Sequence, residues 1–209
     1  MNTYWPKILP LGNCLRYLKR YGQKRPQFQF SCQNEDCCSR TMHGHGCYFR
    51  MAVFKRKYYR LPIYRWCCPN CGHTISVLPD FLIPRGHFAL PVREAALKRK
   101  ASGQSWQKIA GGIAQVDGIS RKTIKRWWKW YLYKAAGIAQ RLSAELIRSG
   151  VNEDLLRMHT GGVNPTPLDT VHWLTTLVRK YLSLLGLNPK PVMGYFRFLN
   201  TRLPESKLI

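Results

Sequence analysis

The chain has 209 residues, 45% of them hydrophobic and 12% aromatic, which supplies enough apolar material for packed cores and excludes a wholly disordered polypeptide. Its 34 Lys plus Arg against 10 Asp plus Glu give a formal charge of +24, and a surface of that sign attracts a polyanion. No window approaches eighteen uninterrupted apolar residues, and the most apolar late stretch, WLTTLVRKYLSLLGL, contains Arg179 and Lys180, so no bilayer-spanning helix is expected.

The charge is unevenly placed. Residues 1–136 carry 25 basic and 5 acidic side chains, residues 137–209 only 9 and 5, which puts the polyanion against the first two thirds. The opening MNTYWPKILPLGNCLRYLKRY lacks the apolar run and small-residue cleavage site of a secretion signal. The expected location is therefore the cytoplasm, in association with the nucleoid, where the eight cysteines are expected as reduced thiols and metal ligands rather than disulfides.

In chain order, the first motif is CQNEDCC, Cys32 to Cys38, and its counterpart is CPNCG, Cys68 to Gly72. CPNCG has the spacing of a tight metal knuckle, in which two sulfurs flank a turn fixed by Pro69 and relaxed by Gly72. CQNEDC is looser, with four residues between Cys32 and Cys37. Adjacent residues on an extended chain point to opposite sides, so one of Cys37 and Cys38, and one of Cys67 and Cys68, faces a common ion. The expected ligands are Cys32, Cys37, Cys68 and Cys71, with Cys38 or Cys67 as the replacement and His43 or His45 of HGH as the alternative to a thiolate. Cys14 and Cys47 are left over as small hydrophobes. Four thiolates from two turns give one Zn²⁺ a closed tetrahedral shell, a structural ion with no open position.

Between the motifs, CYFRMAVFKRKYYRLPIYRWC reads as two strands joined at KRK. Its aromatics and its interleaved Arg60 and Arg65 make either a nucleic-acid face or a hairpin packed around the metal. Pro79, Pro84 and Pro91 then mark a hinge or docking arm and a domain boundary. From Val92 the texture is helical, with VREAALKRKASG, SWQKIAGGIAQ and SRKTIKRWWKWYLYKAA separated at Gly103 and Gly118.

The middle helix puts Trp106, Ile109, Ala110 and Ile113 on one stripe behind a Ser105 cap. The third, capped by Ser120, puts Ile124, Trp127, Trp128 and Tyr131 on one side and Lys122, Lys125, Arg126 and Lys129 on the other. That arrangement suits a recognition helix in a major groove, and Arg121, Lys122, Thr123, Lys125, Arg126 and Lys129 are the expected DNA contacts. Farther on, TPLDTVHWLTTLVRKYLSLLGL carries Thr166 as cap and an apolar stripe of Val171, Leu174, Val178, Tyr181 and Leu185. The preceding AGIAQRLSAELIRSG is expected to cover it, with a second copy of the chain as the alternative, and the closing segment through Pro204 is expected to dock or fray.

CQNEDCCSR, HGCYFR and RWCCPNCGHTISVLPDFLIP, followed by the helix-turn-helix pattern, resemble an uncharacterised bacterial family of zinc-ribbon, helix-turn-helix proteins related to amino-terminal modules of insertion-sequence transposases. The resemblance runs from Phe30 to Tyr131. It implies DNA binding in the service of a mobile element and supports the same four cysteine ligands. Cys38 and Cys47 depart from it, standing where the family pattern has Pro or a small residue.

An acidic-triad transposase needs carboxylates gathered on a mixed α/β fold. After the helix-turn-helix only Glu145, Glu153, Asp154, Asp169 and Glu205 remain, in helical surroundings, and residues 137–209 are too few for a tyrosine or serine recombinase. The expected fold is α+β: a zinc ribbon with proline-marked linker (1–90), a trihelical helix-turn-helix domain (91–136) and a helical association region (137–209). The expected function is non-catalytic, sequence-specific binding of double-stranded DNA, as a transposition accessory beside a separate transposase or recombinase subunit, with homodimerisation open. The alternatives are a transcription regulator of the element, an RNA-binding ribbon protein, and a catalytic transposase or recombinase.

Overall fold

The computed structural model describes residues 7–9, 13–39, 41–55, 57–84, 86–113, 119–151, 166–187 and 195–202; Gly118, Glu153, Asp154, Pro204 and Glu205 lie outside them. The chain is mixed α and β and divides into two units, Met1–Ala89 and Leu90–Ile209.

The first unit holds β1 (Lys7–Leu9), α1 (Cys14–Tyr21), β2 (His43–Phe54), β3 (Lys57–Cys67) and β4 (Thr74–Pro79). β2, β3 and β4 form an antiparallel sheet, with β1 added in parallel on β4, so the strand order is β1-β4-β3-β2. β2 and β3 pair from His43↔Cys67 to Phe54↔Lys57. Lys55 in the connection takes a φ of +46°, the left-handed conformation that a tight hairpin requires. The strand β2 begins earlier than the expected hairpin, taking in HGH, and its register slips between Gly44 and Cys47.

β3 lies inside the sheet, and Leu61, Ile63, Tyr64 and Trp66 on it are buried, together with Ile75, Val77 and Leu78 of β4. α1 is foreshadowed by no strand or knuckle pattern. Asn13 caps it by accepting from the Arg16 amide at 2.8 Å, and Cys14, Tyr17 and Tyr21 form its buried face. The Tyr17 hydroxyl donates to the Pro62 carbonyl at 2.5 Å and the Tyr64 hydroxyl to the Tyr21 carbonyl at 2.8 Å, which ties α1 to β3 at two points.

The expected hinge or docking arm after β4 is corrected by the packing. Leu78, Phe81 and Leu82 are buried, and the Val53 amide and carbonyl are engaged by the His87 carbonyl and the Ala89 amide at 2.9 and 3.1 Å. The Arg50 guanidinium donates to the carbonyls of Ile83 and Gly86. Phe81, Leu82 and Ala89 thus belong to the core of the first unit, and Pro91 falls in the first turn of a helix, where a missing N–H costs nothing.

The second unit holds α2 (Leu90–Ala101), α3 (Trp106–Ile113), α4 (Arg121–Arg148), α5 (Pro167–Leu184) and α6 (Tyr195–Arg202). Gly103, at φ +83°, closes the end of α2, and Ser105 accepts from the Lys108 amide to start α3. α2, α3 and α4 pack on one another around Leu97, Ile109, Ile124 and Trp127. The expected division at 136/137 is corrected: it falls inside α4, a single helix of 28 residues. Gly137 is exposed and interrupts nothing, while Ala135, Ile138, Ala139, Leu142 and Leu146 extend the buried stripe begun by Ile124.

α4 packs on α5. α5 starts with a capping box, in which the Asp169 amide donates to the Thr166 hydroxyl oxygen at 3.2 Å and the Thr166 amide to the Asp169 carboxylate at 2.9 Å. Its buried face is Val171, Trp173, Leu174, Leu177, Val178 and Leu182; Tyr181 is half-buried and Leu185 exposed, so the expected stripe is displaced at its end. α6 docks rather than frays. Buried Glu94 of α2 accepts from the Phe196 amide at 3.0 Å, a carboxylate placed against the positive start of a helix, and also from Lys98.

Candidate functional site

Two turns of the first unit bring four sulfurs together. In the first, the Cys37 amide donates to the Asn34 carbonyl at 3.0 Å, and Cys32 and Ser39 bridge the loop. In the second, the Gly72 amide donates to the Cys68 carbonyl at 3.0 Å and the Cys68 amide to the His73 carbonyl at 2.8 Å, with Gly72 at φ +68°. Phe28 and Phe30 pack against Trp66, Phe30 edge to face with centroids 5.0 Å apart, and steady the entry to both turns.

The ligand atoms of Cys32, Cys37, Cys68 and Cys71 all lie within 4.8 Å of one another. The Cys32 and Cys71 sulfurs are 3.5 Å apart and those of Cys37 and Cys68 are 3.6 Å apart. Bonds of about 2.3 Å in a tetrahedron separate sulfurs by about 3.8 Å, so the donor set and its spacing fit one four-coordinate ion. Of the neighbours left open by sequence, Cys38 is exposed outside the cluster, and the Cys67 sulfur lies 3.5 Å from the Cys68 carbonyl and 3.6 Å from that of Gly72. Cys14 is buried in α1, where burial pushes its thiol up to about 12; Cys47 and both histidines of HGH are exposed on β2.

The cluster is electrostatically uneven. Hydrogen bonds from the Cys71 and Asn70 amides outweigh burial and hold the Cys68 thiol down to about 6, so it is the first thiolate. At Cys37 the Ser39 amide pulls the other way, but burial and the sulfurs of Cys68, Cys71 and Cys32 push the thiol up to about 12, and Cys32 is also raised. A second negative charge here needs a cation. Protons held by raised thiols compete with an ion, so affinity falls as pH falls. The apparent metal association constant is expected to drop by at least about two decades per pH unit between pH 8 and 7, from Cys32 and Cys37 alone, and more steeply below the Cys68 value. Competition with a chelator dye across pH measures this; an affinity independent of pH contradicts it.

The second feature is the start of α4. The Thr123 amide donates to the Ser120 hydroxyl oxygen at 3.1 Å, and the two hydroxyls are 2.9 Å apart. Ile124, Trp127 and Tyr131 are buried and Trp128 half-buried, whereas Arg121, Lys122, Lys125, Arg126 and Lys129 are exposed. Thr123, half-buried and engaged with Ser120, belongs to the cap more than to the outer face. Trp106 meets Trp128 edge to face at 6.4 Å, and the Arg93 guanidinium lies 4.8 Å from the Trp127 ring, which anchors the inner face to α2 and α3.

Sequence reasoning passes over Trp130 and Tyr133. They are 49% and 80% exposed, and at 100° per residue Tyr133 lies in line with Lys122, Arg126 and Lys129. The signal is available in the same helical count that places the cations.

Among the described residues no helix is long and apolar enough to cross a membrane. A family model described as "Domain of unknown function (DUF6431)" matches residues 35–127, a stretch that takes in Cys37, Cys68 and Cys71 and ends in the first turns of α4. No curated protein and no solved structure matches the chain. The chain is thus similar, between the loop of the first ligand pair and the Trp127 anchor, to a domain family whose description assigns no activity.

Proposed function

We propose that the protein is a non-catalytic, sequence-specific binder of double-stranded DNA that serves a mobile element by recognising its ends for a separate transposase or recombinase subunit. The observation that carries the reading is the two-faced start of α4: five exposed cations on a helix whose other side is fixed by Ile124, Trp127 and Tyr131. Cations so placed neutralise phosphates and reach guanine edges when the helix lies in a major groove. No carboxylate occurs on α4 before Glu145, so nothing on that face repels a phosphate backbone. In this reading α2, α3 and α4 are the helix-turn-helix module, and the first unit is a ribbon stapled by one Zn²⁺, chosen because four thiolates in a closed tetrahedron favour it.

The role beside a mobile element rests on the resemblance over Phe30–Tyr131. The non-catalytic role rests on the same resemblance; two of the ten carboxylates have structural duties, Glu94 at the start of α6 and with Lys98, and Asp169 in the capping box of α5.

Selection from a random duplex pool followed by salt titration tests the reading, since a specific duplex survives salt that releases competitors. Lys125→Ala or Arg126→Ala is expected to weaken the selected duplex by about 1 to 3 kcal/mol, and a lost phosphate contact lowers the salt slope by about one. Unchanged affinity in both variants removes α4 from the interface.

A further inference from the structure

The β2–β3 hairpin leaves large side chains outside the core of the first unit. In an antiparallel pair, directly opposed residues share a face. Met51 pairs with Arg60, Phe49 with Pro62 and Val53 with Tyr58, so Phe49, Met51, Arg60 and Tyr58 stand on one side. Phe49 is 52%, Met51 40% and Tyr58 46% exposed, and the exposed Arg60 guanidinium lies 4.0 Å from the Phe49 ring centroid. The two rings are four β2 positions apart, about 13 Å, with Met51 and Arg60 between them.

Charge decides which occupant suits this face. No Asp or Glu occurs between Cys37 and Pro79, so this face carries the Arg60 cation and no anion, while the alternate pairs Arg50↔Leu61 and Phe54↔Lys57 put Arg50 and Lys57 on the other side. A second copy seated face to face would bring Arg60 toward its own equivalent with no carboxylate to pair it. Strand-to-strand addition along the β2 edge is also hindered: the register slips at Gly44/Cys47, and Val53 is already engaged by His87 and Ala89. Exposed aromatic rings beside a guanidinium, with no carboxylate near in sequence, are instead the chemistry of a platform on which unpaired bases stack and a phosphate is neutralised, a use open to every base because each has a π-face.

We infer that Phe49, Met51, Tyr58 and Arg60 form a second nucleic-acid site that stacks the unpaired bases of single-stranded DNA. The site is distinct from the cationic face of α4. Its choice of DNA over RNA rests on the duplex reading given above, while its stacking geometry does not. At a duplex end opened for processing, such a face would hold the separated strand.

The test uses the full-length, metal-loaded protein with fluorescent oligo(dT), oligo(U) of equal length, and the selected duplex. Phe49→Ala is expected to weaken oligo(dT) binding roughly tenfold, and Phe49→Ala/Tyr58→Ala further, with duplex affinity and metal content unchanged. Phe49→Trp, which keeps a ring on the platform, is expected to retain oligo(dT) binding and to add indole fluorescence that oligo(dT) quenches. Lys125→Ala should leave oligo(dT) binding intact, so failure of the α4 reading and failure of this one give different patterns. Undiminished oligo(dT) affinity in Phe49→Ala/Tyr58→Ala, an equal loss on the duplex, or an unquenched Phe49→Trp overturns the site. Tenfold tighter binding of oligo(U) overturns its assignment to DNA, and a dimer that Phe49→Ala converts to monomer overturns it in favour of self-association.

Discussion

Cys71→Ser is expected to abolish bound zinc and to unfold the first unit, while the helices of Leu90–Ile209 retain their amide protection. Four thiolates closing on one Zn²⁺ provide on the order of 10 kcal/mol of apparent binding free energy, which in a small metal domain is folding free energy. A whole domain is stable by only about 5–15 kcal/mol, so losing the ion removes most or all of the margin. The geometry says where the loss begins. The loop of Cys32 and Cys37 contains no strand, and its attachment is the sulfur cluster together with Phe28 and Phe30 against Trp66. Once it detaches, Trp66 is uncovered and the β3 core is opened to water. Elemental analysis should give one zinc per native chain and none in the variant, and hydrogen exchange should show early loss across β2, β3 and β4. A metal-free protein that melts like the native one would falsify the structural role.

Trp127→Ala and Trp130→Ala, three residues apart on α4, are expected to differ sharply. Trp127 is 4% exposed and sits beneath the Arg93 guanidinium, whereas Trp130 is 49% exposed. Truncating a buried Trp costs about 3–5 kcal/mol in lost transfer energy and cavity formation. For a unit of this size that lowers Tm by roughly 10–20 °C. Duplex binding should fall with it, because the cationic face loses its backing. The exposed Trp130 leaves no sealed cavity, and its truncation should cost within about 1 kcal/mol. Thermal melts followed by circular dichroism make the comparison; equal shifts in the two variants would show that the inner face has been misassigned.

The same physics explains which features are legible in the sequence. Spacing within CPNCG and CQNEDC, and the opposite pointing of adjacent residues, lead to the four cysteines whose sulfurs lie together. The α4 inner face is legible because Ile124, Trp127 and Tyr131 follow a helical count without interruption. α1 escapes such a reading although Asn13 followed by Cys14, Tyr17 and Tyr21 carries a cap and a stripe; the helix is short, and Pro62, which Tyr17 bonds, is 45 residues away in sequence. The prolines of residues 79–91 look like punctuation for a free arm, yet Phe81 and Leu82 are fully buried, and the contacts that bury them are long-range. At 136/137, Ala-Ala-Gly looks like a stop, but Ile138, Leu142 and Leu146 beyond it are buried, and such tertiary burial of an apolar stripe outweighs the local signal.

The continuity of α4 has a mechanical consequence. Its 28 residues make a rod about 42 Å long, with the exposed cations Arg121, Lys122, Lys125, Arg126 and Lys129 near one end and the buried Leu142 and Leu146 near the other. The two ends are locked in angular phase. One residue inserted after Ala136 would twist the distal half by about 100° and swing Leu142 and Leu146 off their seat, while about seven would nearly restore the alignment. A torque applied to the distal end is therefore delivered to the cationic end with little loss, and changes of length along the rod keep its phase only in near-whole turns, such as about seven or eleven residues.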